Sequence, residues 1–180
     1  MKRLAIALVG LASIACARGA ARLPDPIPVI DGKAAALFAL EYIDIVAGTG
    51  AASAPRRCHY VHYTGWLTDG KKFDSSRDTM PGGRPREPIS FPQSYRRVIA
   101  GWDLGFEGMK VGGRRRLLVP YQLAYGEAGR PPVIPPRSTL VFDVELMAIA
   151  DTIRRPDSVV VRPGVAATPS CAPWRAVSGS

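Results

Sequence analysis

The chain has 180 residues, 47% of them hydrophobic, and 24 Lys and Arg against 15 Asp and Glu give a formal net charge of +9. That length permits one domain of ordinary size plus ends, and the apolar share marks a globular chain whose core needs no disulfide staples. The basic excess raises nucleic acid as a partner. The basic residues are scattered, however, in runs no longer than Arg114-Arg115-Arg116, Arg56-Arg57 and Arg96-Arg97 among them. None carries interleaved aromatics on which bases could stack, so the charge reads as a solvated surface and no nucleic acid is expected.

Residues 1–21 have the shape of a secretory signal: Lys2-Arg3, an apolar run from Leu4 to Ala15 broken only by Gly10 and Ser13, then Ala17, Ala20 and Ala21. The run is too short for an ordinary transmembrane helix. Two processing patterns stay open. Ala15-Cys16-Ala17 fits the small-x-small rule of an ordinary signal peptidase. Ser13-Ile14-Ala15-Cys16 resembles a bacterial lipobox, with Ser13 where that motif usually has Leu, and would put a lipid on Cys16. Both imply an exported protein, in the periplasm or on the outer face of a bacterial membrane. Contact with the membrane is expected only through that lipid. Cys58 and Cys171 then remain, and a disulfide or two free thiols are equally open. Three cysteines without paired spacing make no metal site.

Residues 22–38 are Pro- and Ala-rich and read as an arm into a domain spanning 39–150. Glu41 to Val46 alternates polar and apolar, the pattern of a half-buried strand. His59 to Leu67 is a second strand, with Val61, Tyr63 and Leu67 on one face, and Asp69-Gly70 turns it into the next run. Arg77 to Pro88 is a loop rich in Pro and Gly, and Ile89-Ser90-Phe91 is a short strand. Trp102, Phe106 and Met109 have helical spacing inside Val98 to Met109, shortened by Gly105 and Gly108. Arg114 to Val119 is a strand and Gly126 to Pro136 a loop. Thr139 to Met147 closes the domain with Leu140, Phe142, Val144 and Leu146 facing inward. Residues 151–180 lack a sustained period and read as a flexible tail. Many short strands with one short helix predict an α+β fold, an antiparallel sheet curled over that helix.

Hydrolytic and phosphate-binding motifs are absent. His59 and His62 are the only histidines. His62 reads as an ordinary strand residue, and Cys58 has no base by spacing, so covalent catalysis is a weak reading. What remains is aromatic: Tyr63, Phe73, Phe91, Trp102, Tyr125 and Phe142 lie on separate elements. Singly, each is more commonly core than site.

The order of motifs changes that weighting. The run Val61-His62-Tyr63-Thr64-Gly65-Trp66-Leu67-Thr68-Asp69-Gly70-Lys71-Lys72-Phe73-Asp74-Ser75-Ser76 resembles the signature of the FK506-binding-protein family of peptidyl-prolyl cis-trans isomerases. Val98-Ile99-Ala100-Gly101-Trp102, Leu123-Ala124-Tyr125-Gly126, Ile134-Pro135-Pro136 and Leu140-Val141-Phe142-Asp143-Val144-Glu145-Leu146 follow in the family's order. The resemblance covers about 39–149.

It implies a curved antiparallel sheet wrapped on one short helix, with the pocket between them. The catalytic residues would be Tyr63, Phe73, Asp74, Ile99, Trp102, Tyr125 and Phe142, and Ile89, Phe91, Val98, Val133 and Ile134 would add substrate contacts. Trp102 would floor the proline pocket, the Ile99 N–H and the Tyr125 hydroxyl would each donate to a substrate carbonyl, and Asp74 would pair with the Tyr63 hydroxyl. No cofactor is implied. The partners would be proline-containing polypeptides, with FK506- or rapamycin-like macrocycles as further ligands. The resemblance implies rotation of X-Pro bonds without a covalent step. The alternative is a chaperone module that binds such segments with little turnover, but the longest insertion is too short for the extra domain such members often carry. A monomer is expected, since no amphipathic dimerisation helix is visible. Departures from the pattern gather at the rim. Ile89 stands where an aromatic is common, the loop Arg77 to Pro88 is longer than in the shortest relatives and brings Arg84 and Arg86, and Arg130 stands where some relatives have His.

Overall fold

The structure, a computed structural model, describes residues 39–152 and 169–178. The expectations for residues 1–38, the signal and Cys16 among them, and for 153–168 lie outside these.

Six strands form one curved antiparallel sheet: β1 (Glu41–Val46), β2 (Arg57–Leu67), β3 (Lys72–Ser75), β4 (Ile89–Pro92), β5 (Arg114–Val119) and β6 (Leu140–Asp151). The order is β1-β5-β6-β2-β3, with β4 also on β2. β2 and β6 pair from Arg57↔Asp151 to Leu67↔Leu140, with one slip between Tyr60 and Val61. The other edge of β2 is shared. β4 takes Cys58 to Val61 and β3 takes Thr64 to Trp66. β6 runs to Asp151, beyond the expected end at Met147.

Among the described residues one short α-helix, α1 (Ala100–Gly105), packs on the sheet. It is shorter than the apolar spacing over Val98 to Met109 suggests. Its two glycines explain both its brevity and its place. A Cβ on Gly101 would stand 2.3 Å from a Val119 methyl, and one on Gly105 would stand 2.7 Å from a Leu117 methyl. Glycine lowers helix propensity but lets the helix backbone lie directly on β5. Trp102, Phe106 and Met109 then enter the core with Leu117, Val119, Leu140, Phe142, Val144 and Leu146.

Two expectations need correction. β1 forms at Glu41–Val46, but all six residues are exposed rather than half-buried. It is an edge strand, paired on one side with β5. The space beneath it is held by Arg115, buried at 4% exposure. Its guanidinium lies 4.1 Å from the Tyr42 ring centroid, bonds Asp44 at 2.6 and 3.2 Å, and donates to the carbonyls of Gly105 and Glu107 at 2.8 and 2.9 Å. A cation at a helix C-terminus satisfies carbonyls that lack helical partners. The basic run Arg114-Arg115-Arg116 is therefore not wholly solvated.

The second correction concerns the tail. Residues 169–178 dock on the outer face of β2. Cys171 forms a disulfide with Cys58, Ala172 accepts a 2.8 Å hydrogen bond from the Tyr60 hydroxyl, and Trp174 packs on the Tyr60 ring at 5.6 Å. Strand alternation would place Cys58 and Tyr60 in solvent, opposite His59 and Val61. The docked segment covers them, and both are fully buried.

Candidate active site

The cleft lies where β2, β3 and β6 meet α1. Trp102, 4% exposed, is the hub. Its ring meets Tyr63 edge-on at 5.1 Å, Phe142 edge-on at 5.3 Å and Phe91 at 5.8 Å. Phe73 meets Phe142 edge-on at 5.6 Å. Edge-to-face packing puts the positive edge of one ring on the negative face of the next and fixes the walls.

Gly65 makes room for this group. In register it lies between Asp74 on β3 and Phe142 on β6. A Cβ there would stand 2.6 Å from Phe73 Cζ and 2.9 Å from Phe142 Cε1. A glycine inside a strand pattern signals such close approach, so Tyr63-Thr64-Gly65-Trp66 carried a usable cue that the aromatic reading passed over.

A cavity of about 380 Å³ opens between Phe73, Asp74 and Tyr125 on one side and Arg130 to Ile134 on the other. A second, shallower trough of about 940 Å³ continues from Tyr125 and Arg130 past Val98 and Ile99 to Arg96 and Arg97. The structure thus brings together Tyr63, Phe73, Asp74, Trp102, Tyr125 and Phe142, with Val133 and Ile134 on one lip and Val98 and Ile99 on the other. Ile89 lies elsewhere. It lines a groove with Pro92, Val98 and the docked Pro169 to Cys171. Phe91 lines that same groove and also backs Trp102.

Asp74 is the polar anchor. The Tyr63 hydroxyl donates to its Oδ2 at 2.5 Å, and the Ser75 N–H donates to its Oδ1 at 2.9 Å. Burial, reinforced by that hydrogen bond and by the Asp74 charge, pushes the Tyr63 hydroxyl well above the ordinary phenol range. Tyr63 therefore stays protonated and donating. Arg86, from the long loop, places Nη1 3.8 Å from Asp74 Oδ1 and donates to the Ser75 carbonyl at 3.3 Å. The Arg130 guanidinium stands 5.9 Å from the Tyr125 ring centroid. Among the described residues no group of three or more His, Cys, Asp or Glu side chains is placed to hold a metal ion.

The fold agrees with known proteins. Residues 52–147 match the family described as FKBP-type peptidyl-prolyl cis-trans isomerase. The chain belongs to that family. It is 44% identical over 106 residues to an FK506-binding protein of Neisseria meningitidis serogroup A, covering 59% of this chain and 92% of the relative. It is 49% identical over 111 residues to FK506-binding protein 4 of Dictyostelium discoideum, covering 62% of this chain but 28% of that protein. The crystal structure of FkpA from Escherichia coli matches with a TM-score of 0.54 at 45% identity, over 62% of this chain and 48% of FkpA. The chain therefore spans less than half of the latter two relatives.

Proposed function

We propose that this chain accelerates cis/trans rotation of X-Pro bonds in exported polypeptides, in the cleft floored by Trp102, without a covalent step. The observation that carries this reading is the convergence of Tyr63, Phe73, Trp102 and Phe142 beside one hydrogen-bonded carboxylate.

The barrier to rotation is roughly 18–20 kcal/mol and comes from amide resonance. X-Pro bonds visit both isomers but exchange over tens to hundreds of seconds. The planar amide is more polar than the twisted one, so water holds the ground state. A proline ring on Trp102, between Phe142 and Tyr125, loses that water, and rigid aromatic walls favour the twisted form by shape. A gain of about 4 kcal/mol gives roughly a thousandfold acceleration. The Ile99 N–H and the Tyr125 hydroxyl would hold two substrate carbonyls. Asp74 would fix the Tyr63 ring and set the local field.

Export is supported by the signal-like residues 1–21 and by the Cys58–Cys171 disulfide, which suits an oxidising compartment. The domain would span 39–150, with 169–178 as a docked extension and macrocycles of the FK506 type as competing ligands. The test is isomerisation of a Leu-Pro test peptide by the purified full chain, with Phe73→Ala and Trp102→Ala as controls. Acceleration lost in both variants supports the reading. A background rate with peptide still bound would favour a chaperone.

A further inference from the structure

The trough beside the proline cleft is cationic by construction. We propose that it selects proline segments carrying an acidic side chain within two residues of the proline. This rests on the reading that the cleft takes proline peptides, and it names the class of peptide preferred.

Arg96, Arg97 and Arg130 line the trough together with the apolar Val98 and Ile99 and with Tyr125. None of the three guanidinium groups has a carboxylate within ion-pair distance among the described residues, whereas eight other cations do. One carboxylate faces the trough, Asp103, and it accepts the Ser94 N–H at 2.9 Å.

The backbone turn that carries Arg96 and Arg97 is held in place. Ser94 and Arg96 take left-handed backbone conformations at φ 65° and 54°, which non-glycine residues adopt only where their surroundings impose them. Here the surroundings are specific. Gln93, 4% exposed, donates through Nε2 to the Asp103 carbonyl at 2.7 Å. Its backbone exchanges hydrogen bonds with Arg57 and Arg56 at 3.0 and 3.1 Å. The turn is thus pinned to α1 and to the start of β2, and it presents Arg96 and Arg97 at the trough instead of burying them. Three unpaired guanidinium groups around an apolar floor form a complement to a carboxylate on a peptide whose proline sits next door.

The test uses the full chain and peptides Ala-Xaa-Leu-Pro-Phe-Xaa-Ala with Glu, Gln or Lys at both Xaa positions. Binding is measured by calorimetry and turnover as kcat/KM. Partly exposed ion pairs are weak individually, so the Glu peptide is expected to bind about three- to tenfold more tightly than the Gln peptide at low salt, with Lys weaker than Gln. The advantage should fall toward one near about 0.5 M salt, where screening is short-ranged. It should also collapse in R96Q/R97Q. Within each variant the Glu-to-Gln ratio is read, so a general loss of affinity does not blur the result. Equal binding of the Glu and Gln peptides by the unmodified chain overturns the proposal, as does an undiminished ratio in both R96Q/R97Q and R130Q. Turnover of all peptides without a Glu preference sinks this inference and leaves the isomerase reading standing. A Glu preference in binding with no turnover of any peptide does the reverse.

Discussion

The two ends of β2 are built from similar residues and come to opposite ends. At Cys58 to Val61 the strand lies between β4 and β6. His59 packs against Phe91 and Phe106 at 5.8 and 5.6 Å, and residues 169–178 close the outer face. At Tyr63 to Gly65 the same strand lies between β3 and β6, and its rings wall an open cleft. The difference arises from what stands over the strand. At the first end Phe91 and Phe106 close in on His59, and a disulfide and Trp174 cover the opposite face. At the second, Gly65 offers no side chain, and the rings of Phe73 and Phe142 come down onto its backbone. Aromatic content therefore does not decide between core and site. The first end should govern stability and the second end activity, and substitutions can separate the two.

The largest effect is expected at the closed end. The disulfide joins residues 113 positions apart, so its loss frees a long loop in the unfolded chain and costs about 3 kcal/mol or more. Cys58→Ala with Cys171→Ala should lower the midpoint of thermal unfolding strongly without a matching fall in kcat/KM on a Leu-Pro peptide. A fall in activity at temperatures where the variant is folded would show that the two ends are coupled.

The converse substitution is Gly65→Ala. The added methyl must displace Phe73 or Phe142, and displacing positioned groups by about 1 Å can cost roughly a hundredfold in rate. The expected outcome is a loss of that order in kcat/KM, in a protein still folded by circular dichroism. An unchanged rate would mean that the ring positions do not set the barrier.

Acid should act on the closed end. His59 is fully buried and its Nδ1 has no hydrogen-bond partner among the described residues. Burial, and then the Arg57 charge, lower its pKa from 6.5 to about 4. Below pH 6.5 the unfolded chain takes up a proton that the folded chain refuses until near pH 4, so stability present at neutral pH drains away as pH falls through that window. Between pH 7 and 5 the loss from this group should be about 2 kcal/mol. His62, also lowered by burial, adds in the same direction. Denaturant titrations at several pH values should show this slope, and His59→Leu should flatten it. An equal slope in the variant would place the acid sensitivity elsewhere.

Much of the cleft was legible because its residues fall in contiguous runs. Tyr63, Phe73 and Asp74 occupy one signature, and Val98, Ile99 and Trp102 another. The covering of the closed end was not legible. Alternation tells which residues of a strand share a face, and it is silent on what lands on the other face. Alternation alone puts Tyr60 on the face away from the core, and only Trp174, 114 positions later, packs over it. Arg115 was hidden for the same reason. Its partners come from β1 and from the end of α1, and nothing in a run of three arginines says which one turns inward. Arg86 reaches Asp74 from a loop whose path the sequence leaves open.

The smallest expected effect concerns Asp74 itself and decides what kind of site the open end is. Its side chain is 48% exposed, so its hydrogen bond with Tyr63 is worth about 1 kcal/mol rather than the full value of a buried charged bond. Asp74→Ala and Tyr63→Phe should each lower kcat/KM by about fivefold. If the two act as one unit, the double variant should be little worse than either alone. A carboxylate that only orients a ring leaves the rate independent of pH around neutrality, where Tyr63 stays protonated. A carboxylate that transferred a proton would cost roughly a hundredfold or more on removal and would impose its own titration on the rate. A flat profile with a small, non-additive loss would make the carboxylate a positioning group. The rotation would then rest on the ring walls that Gly65 admits.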